Sequence, residues 1–230
     1  MIKQFFALTA AGLMLVSAVS RVAYAAETSE QKTSDTPQTN QNHSKVEVTM
    51  KPGSGTDVDP IVPDDTHDDD PSTDSVGSLS IPFASNITFG EQEIKQGDAD
   101  YYALNNKPFV QVNDTRGGAG GWTLGVGISA FKGENDKELK GAVLSLSDGK
   151  VVTKDNESAA PVLAKTIYIL NQNLQNLLLA DKGQGAGAFA ALFEGTDGQN
   201  EHVKLHVPRD GVEAQTYTAE LKWVLTNAPA

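Results

Sequence analysis

The stretch 122-WTLGVGI-128 has the alternation that decides the fold class of this chain. Trp122, Leu124, Val126 and Ile128 occupy every second position, with small or polar residues between them. Successive side chains of a β-strand point to opposite faces, so this pattern predicts a strand with one continuous apolar face.

Similar alternation recurs on both sides of this stretch. It is present at residues 79–83, and the odd positions from Tyr217 to Leu225 share one apolar face near the end of the chain. Asp148-Gly149 between two apolar runs is a two-residue hairpin signal. Short strands separated by Gly, Asn and Asp turns predict an all-β fold, an antiparallel β-sandwich or barrel-like single domain.

One segment fits a helix better than a strand. Leu174, Leu177 and Leu178 follow the i, i+3, i+4 spacing that places side chains on one helix face. We therefore expect at most a short helix, at residues 174–180, in an otherwise all-β fold.

The first 25 residues have the features of an export signal. Lys3 precedes the apolar stretch Phe5 to Val19, and Ala23-Tyr24-Ala25 matches the small-x-small pattern that signal peptidase cleaves. The apolar stretch is shorter than the roughly 20 residues that a membrane-spanning helix needs. We expect cleavage after Ala25, a secreted product, and no transmembrane segment in the mature chain.

Residues 26–77 differ in composition from everything after them. Residues 26–76 hold 12 acidic and 3 basic side chains and few large apolar ones. Such a segment buries too little surface to offset the entropy lost on ordering. We expect a disordered Asp/Pro-rich spacer over 26–77 and a folded domain over 78–230. The Asp run lacks the spacing of an EF-hand loop, which favours a solvated spacer over a calcium site.

Composition and motifs exclude several classes of protein. The 230 residues include no cysteine and carry a net charge of −12, which excludes disulfides and argues against a general nucleic-acid binder. The sequence has no nucleophile elbow, P-loop or H-E-x-x-H motif. His202 and His206 lie in an alternating segment, where four residues span about 13 Å, too far for one zinc ion. We expect no enzyme activity, no cofactor and no metal site.

Two W-x-L tripeptides carry a resemblance to a known family. The first, at 122–124, follows the glycine-rich run 117–121, and the second, at 223–225, stands close to the end of the chain. In this order, with the acidic spacer and the glycine-rich stretch 183–187, they resemble the WxL domain of surface proteins from low-GC Gram-positive bacteria. The resemblance covers residues 78 to 229 and indicates a small member with a single WxL domain.

The resemblance implies non-covalent attachment to peptidoglycan at the cell surface. It also implies a multi-protein complex with a membrane-anchored WxL-interacting protein and other surface proteins of the same locus. One alternative is a protein-binding module that docks to that partner or to a host matrix protein, with indirect wall retention. Another is a free secreted protein whose wall association is incidental.

Two sets of residues are candidates for the binding site. The W-x-L side chains lie on apolar faces and are interpreted mostly as core, with stacking on a sugar ring as the alternative; they are Trp122, Leu124, Trp223 and Leu225. Polar recognition is expected instead from loops that the sheet positions. The loop candidates for recognition are Asn113, Asp114, Arg116 and Gln184. The alternative to a recognition role is that these residues close the loop through a salt bridge or turn hydrogen bonds.

Overall fold

The computed structural model describes residues 42–63, 65–68 and 70–227. The predicted signal peptide, its cleavage site and the first part of the predicted spacer lie outside the described residues. The strands described below all belong to one compact unit, which begins at Val48.

The described residues form twelve strands and one 3-10 turn, at Glu134–Asp136. In chain order the strands are β1 (Leu79–Ala84), β2 (Ala99–Ala103), β3 (Phe109–Asp114), β4 (Trp122–Ile128), β5 (Val143–Ser147), β6 (Lys150–Val152), β7 (Val162–Leu163), β8 (Thr166–Ile169), β9 (Gln175–Ala180), β10 (Gly187–Leu192), β11 (Asn200–Val207) and β12 (Leu221–Thr226). The predicted all-β class is confirmed. No helix within these residues has the length and apolarity needed to cross a membrane.

The strands form three antiparallel sheets of four strands each. Sheet A has the order β1-β3-β10-β6, sheet B the order β2-β11-β5-β8, and sheet C the order β12-β4-β9-β7. One apolar core takes side chains from all three, such as Val112 of sheet A, Leu144 of sheet B and Leu124 of sheet C. Three sheets that share one core form a single folding unit, as the sequence predicts.

The predicted helix at 174–180 is wrong, because Gln175–Ala180 forms β9 between β4 and β7. The pairing of β4 with β9 shifts by one residue, so that Leu178 opposes Leu124 whereas Asn176 opposes Gly125. Leu177 is the extra residue of a β-bulge, and both Leu177 and Leu178 are buried. The bulge produces two adjacent apolar positions in a strand, which mimics half of a helical repeat.

Part of the predicted spacer contacts the sheets. We call the described residues between 59 and 73 the strap. Val62 is 6% exposed and packs with Phe109 and Leu192, on the outer side of sheet A. The N–H of Ile61 donates to the side-chain oxygen of Gln111 at 2.8 Å. Average composition hides this docking, because a few apolar residues and side-chain hydrogen bonds hold the strap. The boundaries 1–25, 26–77 and 78–230 stay predictions.

Docking of the strap predicts that two valines of the predicted spacer, Val62 and Val48, contribute differently to stability. Val62→Ala is expected to lower the free energy of unfolding by about 1–2 kcal/mol, because it empties a buried site between strap and sheet A. The matched control is Val48→Ala, which removes the same atoms from a side chain that is 72% exposed and should change nothing. Urea denaturation measures both variants, and equal stabilities would show that the strap is detached in solution.

Candidate functional site

The first W-x-L tripeptide is part of the core. Trp122 and Leu124 are both 0% exposed, at the start of β4. The indole N–H of Trp122 donates to the carbonyl oxygen of Gly185 at 2.9 Å. Gly185 has φ +72°, and a Cβ there would lie 2.6 Å from the indole nitrogen. Trp122 therefore fixes the second glycine-rich loop from inside the domain, and its ring has no surface for a ligand.

The second tripeptide has a different environment. Trp223 and Leu225 lie on β12, opposite Val126 and Leu124 of β4. Both are only partly buried against the core, since β12 is an edge strand with one neighbour. The structure therefore separates the two tryptophans, one enclosed and one at an open edge.

Arg116 closes the first glycine-rich loop. Its guanidinium donates to both carboxylate oxygens of Asp114, from Nε at 2.9 Å and from Nη2 at 2.7 Å. Nη2 also donates to the carbonyl oxygen of Gly121 at 2.9 Å. The Asp114 side chain is 0% exposed, and its hydrogen bond raises the pKa of Arg116. These contacts match the alternative in which a salt bridge closes the loop.

Asn113 and Gln184 are also occupied by internal partners. The side-chain oxygen of Asn113 accepts a hydrogen bond from the Gln111 amide at 3.0 Å. That of Gln184 accepts from the backbone N–H of Asp181 at 3.1 Å. The two glycine-rich loops do meet, because the N–H of Gly183 donates to the carbonyl oxygen of Ala119 at 2.8 Å. The four loop candidates thus lie near one another, but their hydrogen bonds stabilise the loops.

A row of four side chains crosses the outer face of sheet B, of which Tyr168 is exposed, Tyr102 and Lys204 are partly buried and Ser145 is buried. The register places Tyr102 opposite Lys204, Lys204 opposite Ser145, and Ser145 opposite Tyr168, one residue from each strand. Tyr168 is 60% exposed. His206 lies beside this row on β11, opposite Asp100 of β2. We call these six residues the platform; they are Asp100, Tyr102, Ser145, Tyr168, Lys204 and His206.

Hydrogen bonds order the charged part of the platform. The ammonium of Lys204 donates to Asp100 at 2.9 Å, and Nδ1 of His206 lies 2.7 Å from the other carboxylate oxygen. Two hydrogen bonds lower the pKa of Asp100, and the one with Lys204 has a larger effect than the one with His206. The bond with Asp100 raises the pKa of Lys204. The platform therefore carries the Lys204–Asp100 ion pair beside the Tyr102 ring.

Alternation in the sequence indicates which side chains of β11 and β8 face away from the core. His202 and His206, which lie in an alternating segment of the sequence, are both on one side of β11, while Val203 and Leu205 are buried on the other side. Thr166 and Tyr168 alternate with Ile167 and Ile169 along β8, and only the two isoleucines are buried. The outward position of Tyr168 was visible in that alternation.

An open groove runs beside β12. It has a volume of about 1530 Å³ and is lined by aromatic side chains that include Phe89, Phe131, Tyr217 and Trp223. Its charged lining residues are Glu91, Glu93, Glu213 and Glu220. The groove is therefore apolar with acidic groups and has no lysine or arginine among the described residues that line it.

The described residues offer no obvious metal chemistry. Within them, no group of three or more histidine, aspartate or glutamate side chains could hold a metal ion. The features that face solvent are an aromatic platform and an apolar groove, both of which suit binding to another molecule.

The architecture is that of a binding module, an antiparallel β domain with two open surfaces. A family model described as "WxL domain surface cell wall-binding" matches residues 35–229. The chain therefore belongs to the WxL family of surface cell-wall-binding domains, which places it at the cell wall. The match begins upstream of the strap. No curated protein and no solved structure matches the chain.

Proposed function

We propose that the protein attaches non-covalently to peptidoglycan of a Gram-positive cell and that the platform on sheet B holds the glycan strand. It acts by binding alone, without catalysis. The observation that carries the proposal is the row Tyr102–Lys204–Ser145–Tyr168 across the outer face of sheet B, where both tyrosines and Lys204 reach solvent. Family membership supports the wall as the target.

The spacing of the two tyrosines suits a long polymer. Tyr102 and Tyr168 stand on the two edge strands of sheet B, three strand spacings apart. At about 4.8 Å for each spacing, their Cα atoms are about 14 Å apart. Tyrosine offers an apolar ring face with a polar tip, which suits sugars that have apolar faces and hydroxyl edges. A glycan lying across the strands would contact both rings and Lys204, which stands between them on β11.

The negative net charge of the protein indicates that attachment to the wall depends on short-range contacts. With the predicted signal peptide removed, the chain carries a net charge of −14, and Gram-positive walls are anionic because of their teichoic acids. Long-range electrostatics therefore oppose binding, while stacking and hydrogen bonds are little affected by salt. Binding should persist when the salt concentration rises to about 0.5 M, where the Debye length is only a few Å.

The test removes the two rings. The double variant Tyr102→Ala, Tyr168→Ala is expected to bind peptidoglycan about 10-fold to 30-fold more weakly, since each aromatic contact is worth about 1 kcal/mol. The measurement is co-sedimentation with purified peptidoglycan stripped of teichoic acid, over a series of salt concentrations. Val162→Ala is the control, because Val162 is 58% exposed on sheet C, away from the platform.

The outcomes separate the possible modes of attachment. Unchanged binding by the double variant would exclude the platform. Release by 0.5 M salt would indicate a basic site instead. Failure of the unaltered protein to bind purified peptidoglycan would favour indirect retention through a partner protein. Membership of a multi-protein surface complex is a further part of the proposal, and co-purification from cell walls tests it.

A further inference from the structure

The edge strand β12 has hydrogen-bonding groups on the side away from β4. The N–H of Ser129 donates to the carbonyl oxygen of Glu220 at 2.9 Å, so these two residues form a hydrogen-bonded pair. In an antiparallel ladder such pairs alternate with non-hydrogen-bonded pairs. The register then makes Leu221–Ile128, Trp223–Val126 and Leu225–Leu124 the non-hydrogen-bonded pairs. The N–H of Ile128, which donates to Asn171 on the opposite side, agrees with this alternation.

The outward groups belong to the second W-x-L tripeptide. The backbone N–H and C=O of Leu221, Trp223 and Leu225 point to the free edge of sheet C. Among residues 42–63, 65–68 and 70–227, none makes a hydrogen bond to these groups on that edge. An edge of this kind is a template for pairing with another strand.

The groove supplies a surface for the side chains of such a strand. Leu221 and Trp223 line the groove together with Tyr217 and Phe89. A polypeptide laid along β12 would pair with its backbone and place alternate side chains against these residues. A glycan lacks donors and acceptors that repeat with the period of a strand, so the two features together fit a polypeptide.

The acidic side chains that line the groove favour an occupant with positive charge. Glu93 and Glu213 form ion pairs with Lys95 and Lys137. Glu91 and Glu220 make no ion pair within the described part of the chain. Glu220 directly precedes β12, so a lysine or arginine near the end of an added strand would meet a free carboxylate.

We propose that β12 accepts an extended strand of a partner protein by β-strand addition, and that this strand has alternating apolar residues and at least one basic residue. The W-x-L tripeptide acts in two ways at this edge. Its backbone pairs with the partner, and the Trp223 ring forms the apolar wall. The surface is separate from the platform and extends the function beyond wall binding.

The first experiment tests the free edge in the protein alone. Amide hydrogen exchange followed by NMR should show fast exchange at Leu221, Trp223 and Leu225 and slow exchange at Lys222 and Val224, which bond to β4. Protection of all five amides without a ligand would overturn the proposal. If that protection depended on protein concentration, the occupant would be a second copy of this chain.

The second experiment uses a labelled synthetic peptide, Lys-Val-Thr-Val-Thr-Val-Lys. It is expected to protect the three outward amides and to bind at least about 10-fold more tightly than the same peptide with alternate backbone nitrogens methylated, because methylation removes the pairing donors. Replacing its lysines by glutamates should weaken binding by about threefold or more, through repulsion from Glu91 and Glu220. Equal binding of all three peptides would contradict strand addition.

Two matched protein variants complete the test. Leu225→Pro removes an outward N–H that β4 does not use, and an edge strand tolerates proline at such a position. Leu225→Val keeps the N–H and is the control. The peptide should bind to Leu225→Val and fail to bind to Leu225→Pro. The double tyrosine variant of the platform should bind the peptide normally, which distinguishes this site from the wall site. Protection of the outward amides by soluble peptidoglycan fragments would overturn the proposal in favour of a glycan.

Discussion

Replacing Trp122 by alanine is expected to lower the free energy of unfolding by about 3–5 kcal/mol. The ring is fully enclosed in the shared core, so its removal leaves a cavity among side chains from more than one sheet. It also leaves the carbonyl oxygen of Gly185 without the indole donor. A domain of this size has a stability of about 5–15 kcal/mol, so this single change removes a large part of it.

Two comparison variants identify the source of this loss. Trp122→Phe keeps an aromatic ring and loses the hydrogen bond to Gly185, so its cost should be smaller than that of alanine. Trp223→Ala should also cost less, because this ring is only partly buried at the edge of sheet C. Urea denaturation followed by circular dichroism measures all three. Equal losses for Trp122→Ala and Trp223→Ala would mean that β12 is covered in solution.

The contrast between the tryptophans shows what alternation in a sequence can predict. Both tripeptides lie in strands with an apolar face, and the sequence predicts those strands and their faces. It does not show that β4 has neighbours on both sides whereas β12 has one. Burial in a sheet depends on the neighbouring strands, and these come from distant parts of the chain. The two motifs therefore look equivalent in sequence and differ in space.

Register explains the other differences from prediction. The bulge at Leu177 can be recognised only once β4 is known to oppose β9. The strap is similar, because Ile61 finds its partner Gln111 fifty residues further along the chain. Average composition cannot show that an acidic segment contains residues that dock on the sheets. The platform also depends on register, since Tyr102 and Tyr168 lie on one face only through the order of the four strands.

Among the loop candidates, Arg116→Ala is expected to cause a large loss of stability. This change should lower the free energy of unfolding by about 3 kcal/mol, because it leaves the Asp114 carboxylate buried without its cation. The Asp114 side chain is inaccessible to solvent and, among the described residues, would keep only the backbone N–H of residue 116 as a donor. The glycine-rich loop would also lose the bond from Arg116 to Gly121.

A double-mutant cycle distinguishes this structural role from recognition of the wall. Asp114→Asn removes the buried charge, so adding it to Arg116→Ala should recover part of the lost stability. Arg116→Lys should not restore the loop fully, because lysine cannot make the bidentate contact with Asp114. At a temperature where Arg116→Ala is still folded, it should bind peptidoglycan as the unaltered protein does. A variant that keeps its stability but loses wall binding would show that Arg116 contacts the ligand and that the glycine-rich loop, rather than the platform, is the recognition site.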